Sequence, residues 1–296
     1  MTVNLTGRVA IVTGAGAGLG RAHALALAAH GAKVVVNDLD PAQAEQVREE
    51  IAAAGGEAMA VAASVTDMAA VTEMVARATA QWGAVDILVN NAGILRDKSF
   101  AKMDLDDFRL VLDVHLMGSV NCAKAVWAQM RERNYGRIVF TTSSSGLYGN
   151  FGQSNYGAAK MALVGLMQTL GLEGARNDIR VNCLAPSAAT AMTNGLYGDE
   201  TLAKLGADLV SPAVVVLAGE DAPTRRILLA GAGSFEQANI TMTRGIFLGD
   251  SDDMAGDLAA GLDRLADRAG EIIPESGEEQ HRYETMAAQR TAAELT

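Results

Sequence analysis

Tyr156 and Lys160 stand four residues apart in Tyr156-Gly157-Ala158-Ala159-Lys160, and Ser143 lies upstream in the run Thr141-Thr142-Ser143-Ser144-Ser145. On a helix, residues at i and i+4 share one face, so a phenol and an ammonium would point into the same space. A tyrosine with the ordinary pKa of about 10 is almost wholly protonated near neutral pH, and a cation held close favours the phenolate. The three residue types therefore suggest a general base, a charge that activates it and a hydroxyl able to hold a substrate oxygen. A Tyr and a Lys at this spacing also occur by chance. The reading needs elements that bring the trio to a cofactor.

The first such element is glycine-rich. The apolar run Arg8-Val9-Ala10-Ile11-Val12 leads into Thr13-Gly14-Ala15-Gly16-Ala17-Gly18-Leu19-Gly20, and an Ala/Leu-rich helical pattern follows to about Ala29. Glycines let the backbone approach a ligand, and the helix start offers free amides to a pyrophosphate. Gly14, Gly18, Leu19 and Gly20 are thus candidates for cofactor binding. A carboxylate, Asp38, ends the second apolar run in Asn37-Asp38-Leu39-Asp40. It can accept hydrogen bonds from adenosine ribose hydroxyls and would repel a 2′-phosphate, so NAD is expected rather than NADP. Its plainer alternative is a helix cap or a solvated turn. Asn90-Asn91-Ala92-Gly93 closes a further apolar run; its amides can wall a nucleotide pocket or simply cap a turn.

Strand-like runs near residues 8–12, 33–36, 58–61, 86–89, 137–140, 179–183 and 226–229 alternate with helical patterns at 41–54, 68–82, about 104 into the 120s, and 153–174. Continuous Val/Ile/Leu strands between helices predict a single doubly wound parallel α/β sheet, the Rossmann fold, covered on both faces. Past Gly245 the composition shifts. Asp250-Ser251-Asp252-Asp253 is acidic, and Met254, Leu258, Leu262 and Leu265 recur at helical spacing. The expected organisation is a domain over 1–244 with a built-in substrate site and an acidic, mostly helical extension over 245–296. The extension's amphipathic helix would pack on the domain or on a neighbouring subunit, and the stretch from Glu271 is polar enough to be partly mobile.

The chain has 296 residues, 49% of them hydrophobic and 20% charged, and a formal charge of -11. That charge argues against nucleic acid as the main partner. The two cysteines, Cys122 and Cys183, lie in apolar stretches without disulfide or metal spacing, so no metal is expected. No charged-then-apolar leader and no apolar run of membrane-spanning length is evident, which makes the cytoplasm the expected compartment and a membrane an unexpected partner.

Taken together, Thr13 to Gly20, Asn90 to Gly93, Ser143, and Tyr156 with Lys160 resemble the short-chain dehydrogenase/reductase family in order and spacing, from about residue 5 to about 235. Val34-Val35-Val36-Asn37-Asp38-Leu39, the stretch from Asn90 to Asp97, and Tyr148 to Gln153 resemble in particular its branch acting on (3R)-hydroxyacyl-CoA thioesters in multifunctional enzymes of β-oxidation. The resemblance implies that Tyr156 is the general acid/base, that Lys160 lowers its pKa and holds the nicotinamide ribose, and that Ser143 bonds the reacting oxygen. It implies an NAD-dependent oxidoreductase interconverting a secondary alcohol and a ketone. The expected substrate is an acyl-CoA thioester; a hydroxysteroid or other bulky secondary alcohol is the alternative, and a non-catalytic nucleotide-binding regulator the more distant one. A homodimer or homotetramer pairing through the helices near 104–125 and 153–174 is also implied.

Three departures from the family pattern carry expectations of their own. The asparagine usual in the helix after the fourth strand is His115. That asparagine works largely through its backbone carbonyl and a water leading to the lysine, so His115 can serve if the local bend is kept; otherwise it caps a helix irregularity. The aspartate that commonly contacts adenine is replaced by Ser64, followed by Val65, both retained as cofactor-binding candidates. Pro186-Ser187 stands for the usual Pro-Gly, and of the hydroxyls beyond it Thr190 is favoured over Thr193 for the cofactor. The stretch from Thr193 to Asp208 is short for a substrate lid and fits an open cleft.

Overall fold

The computed structural model describes residues 3–190 and 198–294; Thr193 and the first part of the expected lid lie outside them. The chain divides into two compact units, Met1–Ala238 and Asn239–Thr296.

The first unit is built on one eight-stranded sheet in the order β3-β2-β1-β4-β5-β6-β7-β8. The strands are β1 (Val9–Thr13), β2 (Lys33–Asp38), β3 (Ala58–Ala62), β4 (Ile87–Asn90), β5 (Gly136–Thr141), β6 (Ile179–Ser187), β7 (Ile227–Gly231) and β8 (Ser234–Ala238). All neighbouring pairs are parallel except β7 with β8. The expected wholly parallel sheet therefore gains one antiparallel edge. Ala232 and Gly233 both take positive φ, 52° and 77°, which closes a two-residue hairpin. An Ala in that place conceals the turn from a sequence reading, because Asn or Gly is its usual signal.

Helices α1 (Gly18–Ala29), α2 (Pro41–Ala53) and α9 (Ser211–Ala218) cover one face; α3 (Met68–Trp82), α5 (Gly118–Arg133) and α7 (Ser154–Gly174) cover the other. The alternation of faces is visible within β1. Ala10 and Val12 join the first cluster while Ile11 joins the second. Local chemistry starts the helices. Asp40 accepts from Ala42 N and Gln43 N ahead of Pro41, and Asp67 accepts from Ala69 N and Ala70 N. β2 and β4 flank β1 on opposite sides, so the winding direction reverses beside β1. A crevice then opens at the carboxyl ends of these strands.

The helix expected from about Asp104 into the 120s is interrupted. α4 (Leu105–Leu112), capped by Asp104, passes into a π-helical turn over Asp113–Met117 before α5 begins. His115 lies within this π-helical turn. Between β5 and α7 lies the short α6 (Ser144–Tyr148), and α8 (Asp199–Leu202) follows β6.

The second unit holds α10 (Met254–Ala260), α11 (Leu262–Leu265) and α12 (Gly277–Glu294), with an antiparallel bridge between Met242 and Ile272. One amphipathic helix was expected over Met254 to Leu265. Gly261 divides it, and a Cβ there would lie 2.5 Å from Ile246 Cδ1. Among the described residues no helix is long and apolar enough to cross a membrane.

Candidate active site

The crevice is a single cleft of about 840 Å³ within the first unit. All fifteen residues singled out from the sequence line it: Gly14, Gly18, Leu19, Gly20, Asp38, Ser64, Val65, Asn91, Ala92, Gly93, His115, Ser143, Tyr156, Lys160 and Thr190. They come from the ends of six strands and from three helices, so no short stretch of chain could have shown the grouping.

At one end the glycine turn is shaped by close backbone approach. Gly14 has φ 61°, and a Cβ on it would lie 2.8 Å from Ala92 Cα. A Cβ on Gly20 would lie 2.0 Å from the Gly14 carbonyl oxygen. Ala17, at the N-cap of α1, makes no side-chain cap bond, and no acidic residue occupies the first turn. The first amides of α1 are thus left for an anion, as a dinucleotide pyrophosphate requires. Asp38 is held at the rim, its Oδ2 accepting from Gly16 N at 2.9 Å and its Oδ1 from Asp40 N at 3.1 Å. Thr190 approaches the same turn; a Cβ on Gly18 would meet its Cγ2 at 3.4 Å. These features fit NAD.

Thr13 and Gly16, also in the motif, shape the site as well. Thr13 Oγ1 accepts from Asn91 N at 3.0 Å and Ala92 N at 3.1 Å, while Asn91 Nδ2 donates to the Thr13 carbonyl at 3.0 Å. The asparagine loop is thereby tied to the glycine turn while Asn91, Ala92 and Gly93 line the cleft. A Cβ on Gly16 would stand 2.8 Å from Asp38 Oδ2, so that position accepts little besides glycine. Beneath the far wall, Gly118 lets α5 approach Val65, whose carbonyl accepts from Asn121 Nδ2 at 3.0 Å. Ser64 Oγ pairs with Thr66 Oγ1 at 2.8 Å.

At the other end stand the three candidate catalytic side chains. Tyr156 is the third residue of α7 and Lys160 lies one turn on, its Nζ 5.5 Å from the phenol ring centroid. Ser143 lies two residues past β5 and caps α6 by accepting from Ser145 N at 3.1 Å. Lys160 is buried and donates from Nζ to the Thr141 carbonyl at 2.5 Å; its own carbonyl accepts from Thr142 Oγ1 at 2.7 Å. His115 meets the Tyr156 ring edge-on, at 5.2 Å between centroids and 85° between planes. Its backbone carbonyl accepts from Ser119 Oγ at 2.7 Å, and its Nε2 lies 3.0 Å from Ile94 N and 2.8 Å from Ile94 O.

The electrostatics differ from the expectation that Lys160 lowers the Tyr156 pKa. Burial pushes the phenol above its ordinary value; a hydrogen bond with Ser143 pulls it back, and the Asp97 carboxylate adds to the rise. Burial also brings Lys160 down to about 7, so its charge is weakly held. Desolvation is the common cause. Two groups taken from water each favour the neutral form, and the ammonium is turned to a carbonyl rather than to the phenol oxygen. His115 is held down to about 3 by burial and by Lys160, so it is neutral across the physiological range and cannot act as a cationic acid there.

The comparisons with known proteins agree with this geometry. A family model described as short chain dehydrogenase matches residues 8–200. A Drosophila melanogaster protein named peroxisomal multifunctional enzyme type 2 is 52% identical over 223 residues, which are 72% of this chain and 37% of the relative. The structure of the full-length peroxisomal multifunctional enzyme type 2 from Drosophila melanogaster superposes with a TM-score of 0.84 at 37% identity, covering 97% of this chain and 50% of that one. A 7α-hydroxysteroid dehydrogenase solved with NADH and 7-oxo glycochenodeoxycholic acid gives a TM-score of 0.73 at 30% identity, covering 79% of this chain and 96% of that one. The chain thus spans about half or less of the multifunctional relatives. Fold, cleft and sequence together make this chain a member of the short-chain dehydrogenase family of oxidoreductases.

Proposed function

We propose that the protein is an NAD-dependent dehydrogenase that interconverts a (3R)-hydroxyacyl-CoA and the corresponding 3-ketoacyl-CoA. The observation that carries the reading is the sharing of one cleft by the glycine turn with Asp38 and the trio Ser143, Tyr156 and Lys160. Bound against the turn, NAD accepts a hydride from the carbinol carbon. Ser143 holds the substrate oxygen, Tyr156 takes the hydroxyl proton on oxidation and returns it on reduction, and Lys160 holds the nicotinamide ribose. His115 orients the Tyr156 ring and the Ile94 backbone as a neutral group. The thioester is supported by the names of the multifunctional relatives. The stretch from Leu95 to Tyr148 adds an apolar wall to the cleft through Leu95, Leu110 and Tyr148. Pairing of subunits belongs to the same proposal; between α5 and α7 runs a groove lined by Val120, Ala123, Trp127, Leu166 and Leu170.

The deciding experiment measures NADH formation from (3R)-hydroxyacyl-CoA thioesters against a panel of hydroxysteroids. The expected result is turnover of the thioesters, lost by orders of magnitude in Tyr156→Phe while NADH binding is kept. The second reading, a hydroxysteroid dehydrogenase, is favoured by the likeness to the bile-acid enzyme. Turnover confined to steroids would select it.

A further inference from the structure

The start of α7 is joined bond by bond to the segment that follows β4. The Arg96 carbonyl accepts from Asn155 Nδ2 at 3.0 Å, Asp97 Oδ2 accepts from Gln153 Nε2 at 2.6 Å, and Lys98 N donates to the Gly152 carbonyl at 2.9 Å. Asn155 differs from the others in being fully buried and in touching Tyr156 itself. Tyr156 is the third residue of α7, so its amide has no intrahelical acceptor. An N-cap side chain usually supplies one. Here Gln153 occupies the N-cap and makes no cap bond, its amide being turned to Asp97 and Asn150. Asn155 Oδ1 accepts from Tyr156 N at 2.7 Å in its place.

These contacts close a circuit around the phenol. From Tyr156 N it passes through the Asn155 amide to the Arg96 carbonyl and back along the chain to Ile94. Ile94 N and O lie 3.0 Å and 2.8 Å from His115 Nε2, and the imidazole meets the Tyr156 ring edge-on. The backbone of Tyr156 is thus located from Arg96 and its ring from Ile94, two residues apart on one segment. Ile94, Leu95 and Arg96 also line the cleft, so the circuit joins the phenol to the wall of the pocket. A buried amide that loses a partner is left with an unpaired polar group, which holds Asn155 in this orientation.

We propose that Asn155 is a positioning residue for Tyr156: by tying the first turn of α7 to the Arg96 carbonyl, it fixes the phenol against His115 and the cleft wall. Its effect is geometric. A misplacement of about 1 Å between reacting groups can cost about 100-fold in rate without weakening the binding of either partner. Asn155 touches neither the glycine turn nor Asp38, so cofactor binding does not depend on it. The inference rests on Tyr156 being the proton carrier, as the proposed function has it.

The test separates kcat from KM for NAD in the oxidation of a (3R)-hydroxyacyl-CoA, or of a hydroxysteroid if the wild type takes only that. Asn155→Ala removes both bonds; Asn155→Asp keeps the acceptor for Tyr156 N and removes the donor to Arg96. In each, kcat is expected to fall about tenfold or more while KM for NAD stays within about twofold. Asn182→Ala is the control. Asn182 is equally buried, bonds the Pro223 carbonyl and Arg226 N, and lies outside the cleft lining. It should lower the urea midpoint and leave kcat unchanged. Because either substitution opens the circuit, Asn155→Ala with His115→Ala should lose less in kcat than the product of the two single losses. An unchanged kcat in Asn155→Ala or Asn155→Asp, an equal loss in Asn182→Ala, or a double variant at the full product overturns the proposal. Full turnover in Tyr156→Phe would overturn the proton carrier and this inference together, whereas turnover of steroids alone would sink the thioester and leave the role of Asn155 to the same comparison.

Discussion

His115 fills the space in which a side chain at residue 93 would stand: a Cβ on Gly93 would lie 2.2 Å from Cε1 and 2.9 Å from Nδ1 of the imidazole. The ring is buried and pressed between the asparagine loop and Tyr156, so it has little room to withdraw. Glycine at 93 and histidine at 115 are thus one packing unit, and the π-helical turn is what delivers the ring there.

That complementarity predicts non-additivity. Gly93→Ala is expected to cost about 1–3 kcal/mol by overpacking, and to reduce turnover by displacing the ring from Tyr156. His115→Ala alone leaves Ile94 short of a partner and opens a void. In the double variant the new methyl has space, so its loss of urea-unfolding free energy should be smaller than the sum of the two single losses by about 1 kcal/mol. Strict additivity would show that the two positions do not press on one another.

A second expectation concerns the direction of proton flow. Burial and Asp97 hold the Tyr156 phenol above its ordinary value, and Ser143 opposes them. Oxidation needs the phenolate and ketone reduction needs the phenol. The oxidative rate should therefore climb with pH into the alkaline range, while reduction is supported at neutrality. Ser143→Ala removes the bond that favours the phenolate, so its oxidative limb should move to still higher pH, beyond any loss of kcat. A limb that moves down instead would contradict the assigned base.

The seven parallel strands, their alternation with helices and the doubly wound sheet were legible because they follow from periodicity and from motifs whose order the fold preserves. Helix α3 at Met68–Trp82 matches the sequence pattern at both ends, where Asp67 and Gly83 supply a cap and a stop. What could not be read was local and three-dimensional. The π-helical turn has no compositional signal, and the Ala232–Gly233 hairpin lacks the usual Asn. The raised phenol is a consequence of burial, which spacing on a helix does not reveal. The roles of Gln153 and Asn155 depend on the segment after β4 returning to α7, more than fifty residues away in the chain.

Cofactor choice is expected to turn on Asp38. Its carboxylate sits at the glycine turn with Gly16 N on one oxygen, and among the described residues no cation pairs with it. A 2′-phosphate would meet that negative charge, whereas ribose hydroxyls can donate to it. Asp38→Asn keeps an acceptor for Gly16 and removes the repulsion. NADH affinity should fall about tenfold or more, as expected for losing a hydrogen bond to a charged group, and the gap to NADPH should narrow. Fluorescence titration with both nucleotides checks this. A wild type that binds NADPH more tightly would overturn the reading of Asp38.

The buried His23 predicts how stability depends on pH. It lies on α1 with no exposed surface, its Nδ1 2.9 Å from Ser211 Oγ on α9, and its Nε2 has no partner. Burial lowers its pKa from 6.5 to about 4. The unfolded chain takes up a proton near 6.5, while the folded one resists until about 4, so across that interval the unfolded state binds more protons. Stability contributed by the neutral ring is complete above 6.5 and is lost as pH falls through the interval. At 1.36 kcal/mol per unit the loss amounts to about 3 kcal/mol. His115, held down to about 3, adds a loss of the same sign that extends to lower pH. Urea unfolding of the wild type and His23→Gln between pH 8 and pH 4, on the order of one point per half unit, separates the two. The variant should lose stability less steeply with acid and retain the part owed to His115. Parallel curves would mean that the His23 imidazole takes up its proton alike in the folded and unfolded chain, and that enclosure between α1 and α9 does not favour the neutral ring.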